Sequence, residues 1–193
     1  MIETALRAGL PYVDVAAEIE ANLDTSTHFA VRARATGAVV VPAMAFFGGL
    51  GDLLVTAAMG DWTSADEAHV AYGLSGWHPT AGTRVAVAVS GNAGTAGASA
   101  TATTSSPSRP PGHPEVCTYM TVEAAGELSA AERRAVASGQ DIYAVSAPLA
   151  VEAVHRVLTG RTRTAGVASA GAIFDPVDSL RALSAHISLD LPK

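Results

Sequence analysis

Two stretches decide the fold of this chain: GLPYVDVAAE, Gly9–Glu18, and AVVVPAMAFFGGLGDLL, Ala38–Leu54. Tyr12 to Val15 reads as a short strand, and the consecutive β-branched residues Val39, Val40 and Val41 read as a strand buried on both faces. Between them, Ile19, Leu23, Ala30 and Arg34 mark a helix face from Ala17 to about Ala35, interrupted by Asp24–Thr27 and ended by Gly37. Ahead of the first strand, MIETALRAGL reads as the end of a helix closed by Gly9. After the second, Pro42 limits the strand, and Gly48, Gly49 and Gly51 read as a loop before a helix from Asp52 to Met59. Strand, helix, strand, glycine-rich loop, helix is the order of an open parallel α/β sheet, whose ligands bind at the C-terminal strand ends. The expected fold class is therefore α/β, with an incomplete Rossmann-like parallel sheet in residues 1–60 that lacks the G-x-G-x-x-G phosphate turn. At Gly49-Leu50-Gly51 the third glycine position holds Leu54, and no amphipathic helix follows Gly91, Gly94 and Gly97 to receive a pyrophosphate.

Beyond Gly60 the pattern changes to an α+β lobe over residues 61–186. Val70, Tyr72 and Leu74 alternate with small or polar residues, as do Val85, Val87 and Val89, and Cys117 to Val122 continues the theme. These three are expected to pair antiparallel as a small sheet, because short connections favour hairpins. Gly91–Pro114 has almost no large apolar residue and is expected to be a flexible loop. From Leu128 a helix is expected, with Ser129 as its cap and Glu132 at the capping-box distance. A longer one follows, with Ile142, Val145, Leu149, Val154 and Leu158 on its apolar side and Gly160 at its end; Pro148 either begins its regular part or kinks it. Asp175 is positioned to cap a helix opened by Pro176, and residues 187–193 form a C-terminal tail.

The hydrophobic fraction of 49% is enough for a sizeable core, built mainly from Ala, Val and Leu because aromatic residues are only 5%. A net charge of -6 repels a phosphate backbone, so no nucleic-acid partner is expected. No apolar run reaches the roughly 18 residues needed to span a bilayer, so no membrane partner is expected either. A single cysteine, Cys117, and the lack of a basic-then-apolar leader point to the cytoplasm. The six histidines form no H-E-x-x-H and no i, i+4 pair, so no metal site is expected.

Tyr12, Asp14 and Glu18 follow the first strand, and the loop Phe46–Asp52 follows the second, so a parallel sheet would bring them to one crevice. Each also has a plainer role. Asp14, Glu18 and Asp52 could charge or cap the first turn of a following helix, and Phe46 and Phe47 could serve packing. Thr83 and Arg84 could orient a carboxylate substrate through the guanidinium fork, or Arg84 could be a solvated hairpin residue.

With these residues in place, YVDVAAE, GGLGDLL, GWHPTAGTR and the segment from Gln140 to Leu183 resemble the saccharopine dehydrogenase-like NAD(P)-dependent oxidoreductases of bacteria, over most of the chain outside Gly91–Pro114. The resemblance implies hydride transfer between NAD or NADP and a small-molecule substrate bearing a carbonyl, imine or enoyl group. It places Tyr12, Asp14, Glu18, Phe46 and Asp52 at the cofactor, assigns none of them as acid or base, and implies a lobe that covers the nicotinamide and forms a homodimer. Many relatives carry G-F-D-x-x-P-G-D where this chain has Ala45 to Asp52, so the first acidic residue and the proline are replaced while Gly51 and Asp52 are kept. A second reading stays open on these residues: a non-catalytic, truncated or degenerate paralogue that acts as an interaction or dimerisation module.

Overall fold

Val39–Val41 forms the middle strand of a parallel sheet, and its side chains alternate between two cores. The computed structural model describes residues 1–16, 19–63, 65, 67–72, 81, 115–118, 133–139 and 142–192. Two compact units divide the chain, one of Met1–Ser64, Ser106–His113 and Arg133–Lys193, the other of Ala65–Ser105 and Pro114–Glu132.

The first unit runs through α1 (Ile2–Arg7), β1 (Tyr12–Val13), α2 (Ile19–Thr36), β2 (Val39–Val41), a π-turn (Phe46–Leu50) and α3 (Gly51–Met59). It resumes with β5 (Val136–Gly139), α4 (Ile142–Leu158), β6 (Gly166–Val167), α5 (Ala170–Ile173), α6 (Pro176–Ala182) and β7 (Ile187–Asp190). The three-stranded sheet has the order β1-β2-β6, and Val40 pairs in parallel with Tyr12 on one side and Val167 on the other. Because successive strand side chains point to opposite faces, Val40 joins Ile2, Leu6, Ala33, Ala38 and Val167 under α1 and α2. Val41 instead joins Met44, Leu53, Leu149, Phe174 and Leu180 under α3, α4 and the later helices. The expectation of a parallel strand buried on both faces therefore holds. Gly9, Gly37 and Gly160, at φ of 67°, 70° and 70°, each follow a helix as read from the sequence.

Several elements differ from the sequence reading. The glycines after β2 do not form a loop: Gly48 and Gly49 lie in the π-turn and Gly51 opens α3. Lack of a side chain matters there, since a Cβ on Gly48 would stand 2.3 Å from the Ala43 carbonyl oxygen and one on Gly49 2.7 Å from Met44 Sδ. On α2 the buried residues are Thr25 and Ala33, with Phe29 and Ala30 packed beside the core, while Arg34 is exposed. The helix has rotated relative to the expected face because its long polar side chains reach water more cheaply than they can be buried. Similarly, α4 buries Val145, Leu149, Ala153 and Arg156 and leaves Val154 and Leu158 outside. Pro148 stands inside this helix.

Residues 133–136 are not helical. Arg133–Ala135 is irregular and Val136–Gly139 forms β5, which pairs antiparallel with β7 through Val136 to Asp190 and Gly139 to Ile187. Long-range pairing here overrides the helix propensity of Ala and Arg. A small antiparallel sheet thus exists, built from strands other than those expected. At the junction, Arg133 Nη1 donates to the Met59 carbonyl at 2.7 Å and to Asp61 Oδ1 at 2.6 Å, and its guanidinium lies 4.4 Å over the Trp62 ring. This clasp joins the chain where it leaves the first unit and where it returns.

In the second unit β3 (Glu67–Val70) and β4 (Glu115–Thr118) pair, with Glu67 opposite Glu115 and Val70 opposite Thr118. They are parallel, which corrects the antiparallel expectation. Residues 71–114 separate them, a connection long enough for the crossover that parallel neighbours need. The expected strand at Val85–Val89, the loop Gly91–Pro114 and the helix start Ser129–Glu132 lie outside the described residues.

Candidate functional site

All three strands of the β1-β2-β6 sheet end on the same edge, and each is followed by a polar residue or a tight turn. Beyond β1, Asp14 donates its N–H to the Val41 carbonyl at 3.1 Å and accepts the Met44 N–H on its own carbonyl at 2.7 Å. Its side-chain Oδ1 accepts the N–H of Ala16 at 3.0 Å and of Ala43 at 2.9 Å. Ala43 has φ of 56°, a left-handed conformation that costs an L-residue roughly 1–2 kcal/mol, and the Asp14 bond together with Ala45 and Gly49 N–H groups on the Ala43 carbonyl at 2.8 Å holds it there. The Asp14 carboxylate is therefore a bracket between the ends of β1 and β2.

Tyr12 lies two residues earlier, on the same face of β1. Burial, and after it the neighbouring Asp14 carboxylate, push the Tyr12 hydroxyl above the ordinary tyrosine range, so it stays protonated at neutral pH. Among the described residues expected at the cofactor, Tyr12 and Asp14 lie close to one another.

Phe46 packs at the margin of the larger core, its N–H donating to Ser146 Oγ of α4 at 3.1 Å and its ring meeting Phe47 edge-on at 5.1 Å. Ser146 in turn donates to the Ile142 carbonyl at 2.7 Å. Asp52, in the first turn of α3, does not cap its own helix. Its Oδ2 accepts the N–H of Gly171 at 2.5 Å, in the first turn of α5 beyond β6. The carboxylate there complements the positive end of that short helix. Helices α3 and α5 touch so closely that a Cβ on Gly171 would stand 2.0 Å from Thr56 Oγ1 and 3.0 Å from Asp52 Oδ2. Glu18, Thr83 and Arg84 lie outside the described residues.

Sequence reasoning missed the receiving side of these contacts. Ser146, Gly171 and Thr56 belong to segments far from the residues they meet, and β6 itself is only two residues long. A hydroxyl on the apolar flank of α4 was the available signal for Ser146. A second polar cluster also went unread: Arg156, 2% exposed, has Nε 2.8 Å from Glu152 Oε1 and Nη1 2.8 Å from Asp178 Oδ2, and Asp178 also pairs with Arg161. Its trace in sequence is the Glu152–Arg156 i, i+4 spacing. The cluster ties α4 to α6. Among the described residues, no group of three or more His, Cys, Asp or Glu could hold a metal ion, and no helix is long and apolar enough to cross a membrane.

In comparison with known proteins, no family model, no curated protein and no solved structure matches this chain.

Proposed function

We propose that this chain acts as a non-catalytic interaction module that shares its sheet design with the saccharopine dehydrogenase-like oxidoreductases. One observation carries the reading. The two described carboxylates at the C-terminal sheet edge, Asp14 and Asp52, bind backbone N–H groups of the chain itself. The Gly171 N–H that Asp52 holds lies in the first turn of a four-residue helix beyond a parallel strand, so this backbone donor is taken by the chain itself. Val151, Val154 and Leu158 stand exposed on α4 and give such a module an apolar surface to work with.

A second reading, NAD- or NADP-dependent hydride transfer to a small carbonyl, imine or enoyl substrate, draws support from Tyr12. Its hydroxyl lies near the Asp14 carboxylate at the C-terminal edge of the sheet, the edge where open α/β sheets bind their ligands. Titration calorimetry of the full chain with NADH and NADPH separates the two. The module reading expects no heat beyond dilution at millimolar nucleotide. Saturable heat that Asp14→Asn weakens would instead establish the oxidoreductase reading.

A further inference from the structure

Arg133 makes its contacts across a long span of chain. Its Nη1 donates to the Met59 carbonyl at 2.7 Å and to Asp61 Oδ1 at 2.6 Å, and its guanidinium lies 4.4 Å over the Trp62 ring. Met59 and Arg133 are 74 residues apart, and the whole of the second unit lies between them in sequence. Closing a loop of that length costs entropy that grows with the number of residues in it, so its two ends stay together where contacts hold them. Arg133 stands at the mouth of that loop.

Each contact suits a fastening. Met59 ends α3, and its carbonyl already accepts the Trp62 N–H at 2.9 Å, so the guanidinium adds a second, charged donor at the negative end of the helix. Gly60 leaves it room: a Cβ there would stand 2.9 Å from Arg133 Nη1. The Arg133 hydrogen bond, above all, holds the Asp61 carboxyl below the usual carboxylate range, so both partners are ionised at neutral pH. The Trp62 ring adds the attraction of an indole face for a cation. On the core side of the clasp the chain enters regular structure at once. Before Met59 lies α3, which places Leu53 and Ala57 in the larger core, and after Arg133 comes β5, which pairs with β7 and packs Ala137 against the same core.

We propose that Arg133 is a latch at the neck of the second unit: closed, it confines opening of the second unit to that unit, and released, it lets the last turn of α3 and strand β5 fray from the core of the first. Proteins open locally in contiguous cooperative segments rather than all at once. The clasp marks the border of one such segment, because the chain on its far side belongs to the second unit and the chain on its near side is tied to the Val41 core. A residue at that border decides which amides open together.

Amide hydrogen exchange of the full chain, wild type against Arg133→Ala, tests this. The Gly60 and Trp62 amides and those of β5 should exchange about 10- to 100-fold faster in the variant, the range that follows from losing hydrogen bonds to a charged group, because they open when the latch does. The amides of β3 and β4 should exchange at the wild-type rate, because the second unit opens with the latch closed. Asp61→Asn removes the charge of an exposed side chain and keeps the Met59 and Trp62 contacts, so the same neck amides should speed up by a smaller factor. Neck amides unchanged in both variants would overturn the proposal, since the guanidinium would then hold nothing. Speeding of β3 and β4 by the same factor as the neck would also overturn it, since the second unit would then open together with the clasp. Should Arg133→Ala fail to fold, the Asp61→Asn comparison decides between these outcomes. None of these rates depends on nucleotide, so failure here leaves both functional readings to the calorimetry.

Discussion

Asp178 shows how single side chains in this fold act as fasteners. Its carboxylate takes Arg156 from α4 and Arg161 from the segment after it, and stands at N3 of α6, where the Asp175 carboxylate caps its N–H. The Arg156 hydrogen bond, helped by both guanidinium charges, holds the Asp178 carboxyl below the usual carboxylate range. A carboxyl lowered by folding adds stability above its unfolded value of about 3.9 and loses it as pH falls through the folded value. Chemical denaturation of wild type and Asp178→Asn at several pH values should therefore show a gap that is full above about pH 4 and narrows below it. A gap independent of pH would mean that the ion contacts contribute nothing through the charge. At this scale the sequence was partly legible. Asp14 and Asp52 stand out as carboxylates beside a strand end and a helix start, but whether each serves a ligand or the backbone depends on partners such as Ala43 and Gly171. No local pattern names those partners.

Among the elements, α6 was the easiest to read, because its cap and its proline are adjacent in sequence. Asp175 Oδ1 accepts the Asp178 N–H at 2.9 Å, and Pro176 takes the first helical position, where no N–H is needed. Oδ2 of Asp175 also meets Arg163 at 2.7 Å. Asp175→Ala should lower unfolding free energy by about 1–2 kcal/mol, the usual cost of losing a side-chain cap; an unchanged urea midpoint would show that water satisfies the freed N–H equally well. Elements that depend on distant partners were harder. Val136–Gly139 has a helix-like composition on its N-terminal side and becomes a strand through pairing with β7. Gly166–Val167 is too short to carry a period, yet it completes the parallel sheet beside Val39 and Val40. The strands β3 and β4 lie earlier than the alternation read in the sequence, meeting it only at Val70 and at Cys117–Thr118, and their parallel direction depends on the length of chain between them rather than on either strand.

For the molecule as a whole, the alternating valines of β2 make the layered arrangement of the first unit legible, because Val40 and Val41 need a core on each side. Less legible is the way the C-terminal edge of the sheet is braced by the chain's own groups. Asp14 ties β1 to the turn after β2, and Asp52 ties α3 to the helix after β6, so each carboxylate joins segments whose separation would open the first unit. These bonds are made to buried or half-buried backbone donors, where removing the acceptor costs more than the average net value of a hydrogen bond. Carboxylates kept for catalysis behave differently, and replacing them commonly leaves stability unchanged or raises it. Equilibrium urea unfolding of the full chain with Asp14→Ala and with Asp52→Ala is the measurement that separates these roles. Each substitution should lower the unfolding free energy by about 1–3 kcal/mol with an unchanged denaturant slope; a variant as stable as wild type, or more stable, would contradict the structural assignment of that aspartate.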